Sequence, residues 1–319
     1  MGYSLNDKLV IAVASSALFD LTESDKVFRE QHESAYRDYQ RENENVPLGK
    51  GVAFSLVKRL LSLNTATEKL VEVILLSRND PDTGLRVFNT IESYGLDISR
   101  AIFTAGKNPF RYIEPLNASL FLSGNIQDVK EAIEYNCPAG YVGTNKYYDD
   151  EQDSELRIAF DFDGVIANDE SETVYQEGGG MQPYHKYEKE HANDTMGAGP
   201  LFSFFQQLSE LQKKELNKMD LNPDYRPIIR IAICTARNAP AHERAIKTLR
   251  KWDIRVDEAF FLGGIKKNTV LDVYRPHIFF DDQISHIADV SQRFPCAHIP
   301  YGVVNKDEKV VTKVTLVKE

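Results

Sequence analysis

Cysteine is scarce in this 319-residue chain, which contains only three cysteine residues. Cys137, Cys234 and Cys296 are odd in number, lie far apart and form no C-x-x-C pair. This spacing argues against a disulfide framework and against a cysteine-based metal or redox motif. We therefore expect free thiols in a reducing compartment.

Long apolar runs are also lacking. No run approaches the roughly 18 residues that a membrane helix requires, so we expect no membrane partner. The segment LVIAVASSALF at residues 9–19 has the apolar character of a signal-peptide core, but Asp7 precedes it, Lys8 alone supplies positive charge and Asp20 follows directly. A buried strand is the better interpretation, and the expected location is cytoplasmic.

Positive charge is in deficit, with 38 lysines and arginines against 48 aspartates and glutamates and a formal net charge of −10. Binding to nucleic acid or to an anionic membrane surface depends on basic patches, so this balance argues against both partners. A phosphate-bearing ligand would have to be bound by a few local cations. The composition leaves open whether the chain forms a homo-oligomer.

Apolar, β-branched and aromatic runs alternate with segments of helical period. Hydrophobic residues make up 42% of the chain, and its length fits two domains or one enlarged domain. The alternation predicts an α/β fold with a mainly parallel, buried sheet. The expected strands lie at residues 9–14, 71–77, 119–123, 157–160, 228–235 and 277–282.

The apolar pattern occurs twice along the chain. Residues 77–140 match residues 235–298 without a gap at a shift of 158, and a slightly smaller shift pairs residues 53–60 with residues 201–208. Few identities survive, but both copies have the same succession of helix and strand. We interpret this pattern as an internal duplication of an α/β unit.

The boundary between the two copies is expected in the polar, aperiodic stretch 143–155. This division gives a first domain at residues 1–150 and a second at residues 151–319. The heavily charged segment 22–46 in the first domain predicts a solvated helical insertion.

Carboxylates, a hydroxyl and a lysine pair follow successive predicted strands of the second domain, with Gly164 allowing a turn after the first. Because the carboxyl ends of parallel strands form one crevice, we expect these side chains to converge. Taken singly they are common at caps and strand ends; together they suit Mg²⁺ and a phosphate. They are Asp161, Asp163, Thr235, Lys266, Lys267, Asp281 and Asp282.

The motifs DFDGV, CTAR, GGIKK and FFDDQ, in this order, resemble the four motifs of the haloacid dehalogenase (HAD) superfamily of phosphohydrolases. More narrowly, ALFDL, GPLFSFF, RAIKTLRKWDI, DEAFFLGG and HIPYGV resemble the cytosolic 5′-nucleotidase type I family over nearly the whole chain. The resemblance implies a HAD-like Rossmannoid parallel sheet with a cap insertion, at about residues 169–200. A degenerate duplicated α/β half would precede it.

The resemblance also implies roles for the motif residues. Asp161 would attack phosphorus to form an aspartyl-phosphate, and Asp163 would act as general acid and base. An acid role requires Asp163 to hold a proton at neutral pH, about three pKa units above the usual value, or roughly 4 kcal/mol. Thr235 and Lys267 would bind phosphoryl oxygens, with Lys266 as the competing lysine.

Mg²⁺ is the cofactor that the resemblance implies. Its expected ligands are Asp161, the backbone carbonyl of Asp163, and Asp281 with Asp282 beside it. Which of the last two aspartates is the direct ligand stays open at this point.

These residues predict a Mg²⁺-dependent phosphatase, and the family likeness points to nucleoside 5′-monophosphates such as AMP as the small-molecule substrate. One alternative is a HAD phosphatase or phosphotransferase for another small phosphomonoester. An alternative of another class is a nucleotide-sensing binding protein without turnover, against which the intact Asp161 and Asp163 speak.

The first domain lacks the charges that this chemistry needs. Ala14 and Ser16 fall opposite Asp161 and Asp163, and Ser77 alone keeps a hydroxyl, opposite Thr235. We therefore expect a catalytically silent half. Of two roles left for it, a scaffold is favoured over an effector site. The remaining opposed residues are Pro109 for Lys267, and Ser123 and Gly124 for Asp281 and Asp282.

Other polar and aromatic residues carry weaker signals. Arg237 directly follows CTA and is expected either to touch the substrate or to form a structural ion pair. His185, His191, His242 and His286 lack metal-ligand spacing, so surface or capping roles are favoured. Tyr184, Tyr187 and Phe202 could stack on a base, but packing is the plainer expectation.

Overall fold

Buried strands alternate with helices along the whole chain in the computed structural model, which describes residues 3–145, 147 and 149–306. The first half contains β1 (Leu9–Val13), α1 (Ser15–Leu18), β2 (Phe19–Asp20), α2 (Thr22–Glu42), β3 (Gly49–Lys50), α3 (Phe54–Leu61), β4 (Val71–Ser77), α4 (Pro81–Ser93), β5 (Arg100–Phe103), β6 (Leu120–Ser123), α5 (Ile126–Glu134) and β7 (Ala139–Val142). The second half contains β8 (Leu156–Phe160), α6 (Glu170–Glu177), α7 (Met181–Glu190), α8 (Phe202–Leu221), β9 (Ile229–Thr235), α9 (His242–Lys251), β10 (Glu258–Phe261), α10 (Asn268–Tyr274), β11 (Ile278–Asp281), α11 (Ile284–Val290) and β12 (Cys296–His298).

Ten strands of the described chain form one sheet in the order β10-β9-β8-β11-β12-β7-β6-β1-β4-β5. Neighbouring strands are parallel except at the centre, where β7 and β12 pair antiparallel. Every residue of β1 and β4 is buried, as expected for a parallel sheet with both faces covered. The predicted α/β fold with a mainly parallel sheet is therefore confirmed.

The two halves of the sheet have the same strand order on either side of the central pair. The order β5-β4-β1-β6-β7 in the first half corresponds to β10-β9-β8-β11-β12 in the second. β4 begins at residue 71 and β9 at residue 229, a shift of 158, and the same shift relates β5 to β10 and β6 to β11. This correspondence supports the duplication, and the antiparallel junction relates the halves by an approximate two-fold axis. The division into two domains at residues 143–155 stays a prediction.

Each half also carries a broken helical segment after its first strand. α2 is interrupted at His32, whose φ of 70° is unusual for a residue with a side chain. α6 and α7 are separated by glycines, and Gly180 has a φ of 105°. A shift of 148 places residue 32 on residue 180, so the two breaks correspond. The predicted helical insertion in the first half is thus the counterpart of the segment at residues 169–200, which is called the insertion below.

The last features of the fold are the cysteines, the packing of Trp252 and the apolar length of the helices. Cys137, Cys234 and Cys296 are free, and the last two are buried. Trp252 packs on Phe202 with ring centroids 4.7 Å apart, at the edge of the main core. None of the helices in the described ranges is long and apolar enough to cross a bilayer.

Candidate active site

Three strand ends that carry polar residues are neighbours in the sheet, because β8 lies between β9 and β11. Asp161 follows β8 directly, and Asp281 is the last residue of β11. Lys267, just before α10, extends its ammonium between them. Its Nζ lies 2.8 Å from Asp161 Oδ2 and 2.6 Å from Asp281 Oδ2. These three buried side chains are called the aspartate–lysine cluster below.

The two candidate lysines have different surroundings. The side chain of Lys267 is 3% exposed, whereas that of Lys266 is 73% exposed and lies 3.4 Å from Asp289 at the surface. Only Lys267 therefore reaches the strand ends. Gly-Gly before it supplies two residues at positive φ, which turn the chain after β10.

Thr235 ends β9 next to β8, and its side chain is buried. Its Oγ1 accepts a hydrogen bond from the backbone N–H of Arg237 at 3.2 Å, which orders the turn after the strand. The structure therefore places the Thr235 hydroxyl at the end of the strand that neighbours the one leading to Asp161. The role of this hydroxyl in binding a phosphate stays a prediction.

Asp282 is a third buried carboxyl at these strand ends. Its Oδ1 has no hydrogen-bond partner within the described part of the chain. Burial, reinforced by the charges of Asp281 and Asp161, raises the pKa of Asp282 well above its usual range. Gly164 has a φ of 71°, and a Cβ there would clash with the carboxyl group of Asp282. Glycine is thus required where the loop after β8 closes over this carboxyl.

Burial and charge act in opposite directions on the other two aspartates. Burial raises the pKa of Asp161 to about 6, although Lys267 favours the ionised form. Burial also acts to raise the pKa of Asp281, but Lys267 and His286 outweigh it and the pKa lies below the usual value. Three buried carboxyl groups and one ammonium leave an excess of negative charge.

The residues at these strand ends fit a divalent cation, because it would balance the excess charge and give the orphaned oxygen of Asp282 a partner. Asp161, Asp281 and His286 offer ligand atoms that all lie within 4.8 Å of one another. Sequence reasoning missed His286, whose Nδ1 is 3.1 Å from Asp281 Oδ2. The feature of the sequence that could have indicated His286 is its position in the first turn of α11, which begins three residues after Asp281.

Asp163 forms its ion pair with Arg237 and not with Lys267. Both of its carboxylate oxygens accept hydrogen bonds from Arg237, from Nε and from Nη2, each at 2.7 Å. Of the two roles expected for Arg237, the structure shows an ion pair. This bidentate pair occupies both oxygens of the Asp163 carboxylate. The acid role expected from the sequence therefore requires at least one of these bonds to break.

Arg237 also reaches into the insertion. Its Nη1 donates to Glu188 on α7 and, at 3.0 Å, to the backbone oxygen of Ala241. Its Nη2 donates to Ser171 Oγ on α6 at 2.7 Å. The side chains of Arg237 and Glu188 are 1% and 0% exposed. A buried ion-pair network therefore joins the strand end that carries Asp163 to the insertion.

Most of the other candidates named from the sequence have local partners. His185 Nε2 lies 3.1 Å from Asn238 Oδ1, and the His191 ring stacks on Tyr187 with centroids 4.1 Å apart. Tyr187 donates a hydrogen bond to Glu170. The contacts of His191 and Tyr187 fit packing and capping within the insertion, whereas His185 contacts the loop after β9. Tyr184 packs edge-on against Tyr175, Phe202 packs on Trp252, and His242 packs edge-on against Phe261.

The described residues at the matching strand ends of the first half carry no such charge excess. Ser15 Oγ lies 3.0 Å from Ser77 Oγ, and Ser16 Oγ accepts from the N–H of Gly124 at 3.2 Å. Ser123 Oγ accepts from the N–H of Asn125 at 3.1 Å, as Asp281 does from Gln283. The turns are therefore kept, while the carboxylates are replaced by neutral groups. Pro109, opposite Lys267, is followed by a short 3₁₀ helix (Phe110–Tyr112).

A mainly parallel α/β sheet whose strand ends carry these aspartates, a hydroxyl and a lysine is consistent with a HAD-type fold. The family model described as 5′-nucleotidase matches residues 1–306, and the chain belongs to this family. It is 35% identical over 289 residues to human (Homo sapiens) cytosolic 5′-nucleotidase 1B. That match covers 88% of this chain and 46% of the human protein, so the chain spans about half the length of this curated relative.

A solved structure with a similarity over most of the chain is that of a Pnkp1/Rnl/Hen1 complex. The match covers 93% of this chain and 98% of that chain, with 11% identity. Its TM-score of 0.31 is too low to inform the fold.

Proposed function

We propose that the chain is a Mg²⁺-dependent 5′-nucleotidase that hydrolyses AMP-like nucleoside 5′-monophosphates to nucleoside and phosphate. The observation that carries the proposal is the aspartate–lysine cluster at the carboxyl edge of the sheet. It combines a nucleophile, a cation for phosphoryl oxygens and a metal-binding carboxylate within hydrogen-bond distance of one another. Family membership supports the nucleotide as substrate.

Asp161 is the proposed nucleophile. With a pKa of about 6 its carboxylate is mostly ionised at neutral pH, and Lys267 orients it. A carboxylate oxygen would form a bond to phosphorus while the bond from phosphorus to the 5′ oxygen of the nucleoside breaks. Water would then attack the phosphorus of the aspartyl-phosphate, release inorganic phosphate and restore Asp161.

Asp163 is the proposed proton donor to the departing 5′ oxygen and the proposed base for the attacking water. Its side chain is 18% exposed, so substrate and water can reach it. Thr235 and Lys267 would bind the transferring phosphoryl oxygens. In this scheme Asp163 first takes up a proton on an oxygen released by Arg237, and that proton goes to the leaving nucleoside.

Mg²⁺ would be held by Asp161, the backbone carbonyl of Asp163, and Asp281 with Asp282. When bound, it would neutralise charge on the transferring phosphoryl group. Asp281 is oriented for this role by Lys267 and by the N–H of Gln283, which donates to its Oδ1 at 2.8 Å. His286 is close enough to serve as an additional ligand or to orient Asp281.

We further propose that residues 151–319, with the insertion at 169–200 as a cap, form the catalytic domain, and that residues 1–150 form a silent scaffold. The first half has a cavity of about 500 Å³ at its own strand ends. The two arginines that line it are already paired, Arg37 with Asp80 at 2.9 Å and Arg78 with Asp128. This pairing disfavours a phosphate there.

A substrate panel tests the proposal. AMP, IMP, dCMP and sugar phosphates are incubated with the protein, with and without Mg²⁺, and phosphate release is measured. The proposal predicts that nucleoside monophosphates are hydrolysed only when Mg²⁺ is present. The proposed location of the protein is the cytoplasm, where such substrates occur. Faster hydrolysis of sugar phosphates than of nucleotides would show that the proposed substrate class is wrong. Nucleotide binding without phosphate release would favour the alternative of a nucleotide-sensing binding protein.

A further inference from the structure

The guanidinium of Arg237 has an acceptor for each of its five N–H groups. Nε and Nη2 donate to the two oxygens of Asp163, and Nη2 also donates to Ser171. Nη1 donates to Glu188 and to the backbone oxygen of Ala241. Because the guanidinium is planar and has five donors in fixed directions, complete pairing leaves it one orientation. That orientation also fixes the plane of the Asp163 carboxylate.

We propose that Arg237 is a positioning residue through which the insertion controls the orientation and availability of Asp163. The inference rests on the proposed function, because it takes Asp163 as the proton donor. Ser171 and Glu188 belong to the insertion, whereas Asp163 follows β8. A docked insertion therefore fixes Arg237 and, through it, the plane of the Asp163 carboxylate, whereas a displaced insertion loosens both. Release of one Asp163 oxygen by Arg237 is still needed before that oxygen carries a proton.

A second buried arginine separates this role from simple anchoring of the insertion. Arg244 on α9 lies 3.2 Å from Glu188 Oε1 and 3.2 Å from Glu170 Oε1, and its contacts are to the insertion. Together with Ser171, whose Oγ donates to Glu188 Oε1 at 2.7 Å, it can compensate Glu188 without Arg237. The pairing of Arg237 with Asp163 is thus additional to what docking of the insertion needs.

The first half supplies a natural comparison. Its counterpart of Arg244 is Arg86, which donates to Gln40 at 3.0 Å. The guanidinium carbon of each arginine is 5.6 Å from the ring centroid of a corresponding tyrosine, Tyr39 or Tyr187. The anchoring arginine is therefore present in both halves.

The residue in the position of Arg237 differs between the halves. The shift of 158 places Asn79 opposite Arg237, and the shift of 148 places Gln40 opposite Glu188. The half in which Ser16 replaces Asp163 thus lacks both charges of the Arg237–Glu188 pair. An arginine at the position of Arg237 is therefore found in the half that has the aspartate, Asp163. An arginine at the position of Arg244 is found in both halves, each of which has a helical insertion.

Leaving-group dependence tests the inference. Arg237→Lys and Glu188→Gln are compared with the matched control Arg244→Lys, using kcat/KM for an aryl ester, p-nitrophenyl phosphate, and for alkyl esters, AMP and glycerol phosphate. Aryl leaving groups need little protonation, whereas alkoxides need a proton. Arg237→Lys should reduce kcat/KM for the alkyl esters about tenfold more than for the aryl ester. Arg244→Lys should reduce both by the same factor, and equal losses in Arg237→Lys would overturn the inference.

Amide hydrogen exchange gives a readout that needs no turnover. If Arg237 couples Asp163 to the insertion, the coupling is reciprocal, and Asp163→Asn should speed exchange in residues 170–190. Asp161→Asn is the matched control, since it removes the same charge two residues away without touching Arg237. Unchanged exchange in Asp163→Asn, or the same increase in both variants, would contradict the inference. A native protein that cleaves alkyl phosphates other than nucleotides would overturn the proposed substrate and leave this inference standing.

Discussion

The two halves of the molecule share their framework and differ at the carboxyl ends of their strands. The strand order is the same in both halves, and the register of β1 with β4 matches that of β8 with β9. The break in the helical insertion also occurs at corresponding residues. Where the second half has Asp161, Asp163 and Asp281, the first has Ala14, Ser16 and Ser123. Buried apolar strands are thus sufficient for this fold, and the strand ends can change without loss of the sheet.

The difference between the strand ends also bears on the stability of the second half. Its strand ends bury three carboxyl groups around Lys267, whereas those of the first half are closed by hydrogen bonds between neutral groups such as Ser15 and Ser77. Buried like charges destabilise a fold unless a cation compensates them. We therefore expect a bound cation to stabilise the fold of the second half and to leave the stability of the first half unchanged.

The largest expected effect comes from replacing the charged residue after the first strand of the second half with a neutral one. Asp161→Asn should reduce turnover by at least about 10⁴-fold, because the proposed nucleophile is lost while the shape of the side chain is kept. Nucleotide binding should persist, and calorimetric titration of this variant should show one saturable site. A second saturable site would assign an effector role to the first half, and substantial remaining turnover would argue against a covalent intermediate.

The next largest effect concerns a buried histidine at the opposite edge of the sheet. Burial, reinforced by Arg59 and Arg157, lowers the pKa of His277 from 6.5 to about 4, and its Nδ1 accepts from the N–H of Arg157 at 2.9 Å. The unfolded chain binds a proton in this range more readily than the folded chain, so stability should fall as the pH drops from about 6.5 to about 4.

His277 contributes up to about 3 kcal/mol to this loss of stability. Its counterpart in the first half is Ser119, which does not titrate in this range. His277→Ser should therefore flatten the dependence of the unfolding free energy on pH between these limits, as measured by urea denaturation. An unchanged slope would contradict the buried neutral imidazole.

The cation dependence can be sharpened by thermal unfolding. At a Mg²⁺ concentration of about 100 times its Kd, binding should stabilise the native protein by about 2.7 kcal/mol, provided that the unfolded chain does not bind it. Asp281→Asn should remove most of this shift, whereas Ser123→Asn, the matched change in the first half, should keep it. Equal shifts in both variants would place the cation elsewhere.

The smallest predicted difference lies between the two hydroxyls that the halves share. Thr235→Ala should lower kcat/KM for a nucleoside monophosphate about tenfold, since the proposed hydrogen bond to a phosphoryl oxygen, of about 1.4 kcal/mol, is lost. Ser77→Ala is the control and should leave kcat/KM within a factor of two of the native value, as a rough bound. Equal losses would show that these hydroxyls act on the fold and not on the substrate.

Much of this comparison can be read from the sequence, because strand ends and apolar periodicity are local properties. The shift of 158 that matches the two apolar patterns is the shift that relates β4, β5 and β6 to their counterparts. The choice of Lys267 over Lys266 as the site lysine came from the family motif, and the structure places Lys267 at the strand ends.

The remaining features depend on contacts between distant segments. Glu188 lies in a helix with the polar sequence MQPYHKYEKE, and nothing in that sequence indicates that this glutamate is completely buried. Its burial depends on Arg237 and Arg244, which are contributed by other elements. The antiparallel pairing of β7 with β12 is likewise a meeting of two sheet edges, which periodicity within each half does not encode.

The covalent step at Asp161 is tested most directly by trapping. The protein is mixed with Mg²⁺ and AMP labelled in the phosphate, quenched in acid within one turnover, digested and analysed by peptide mass spectrometry. The label should appear on the peptide that contains Asp161 and on no peptide of residues 1–150, and it should be absent in Asp161→Asn. Rapid phosphate release without a labelled peptide, or label on another residue, would contradict the mechanism.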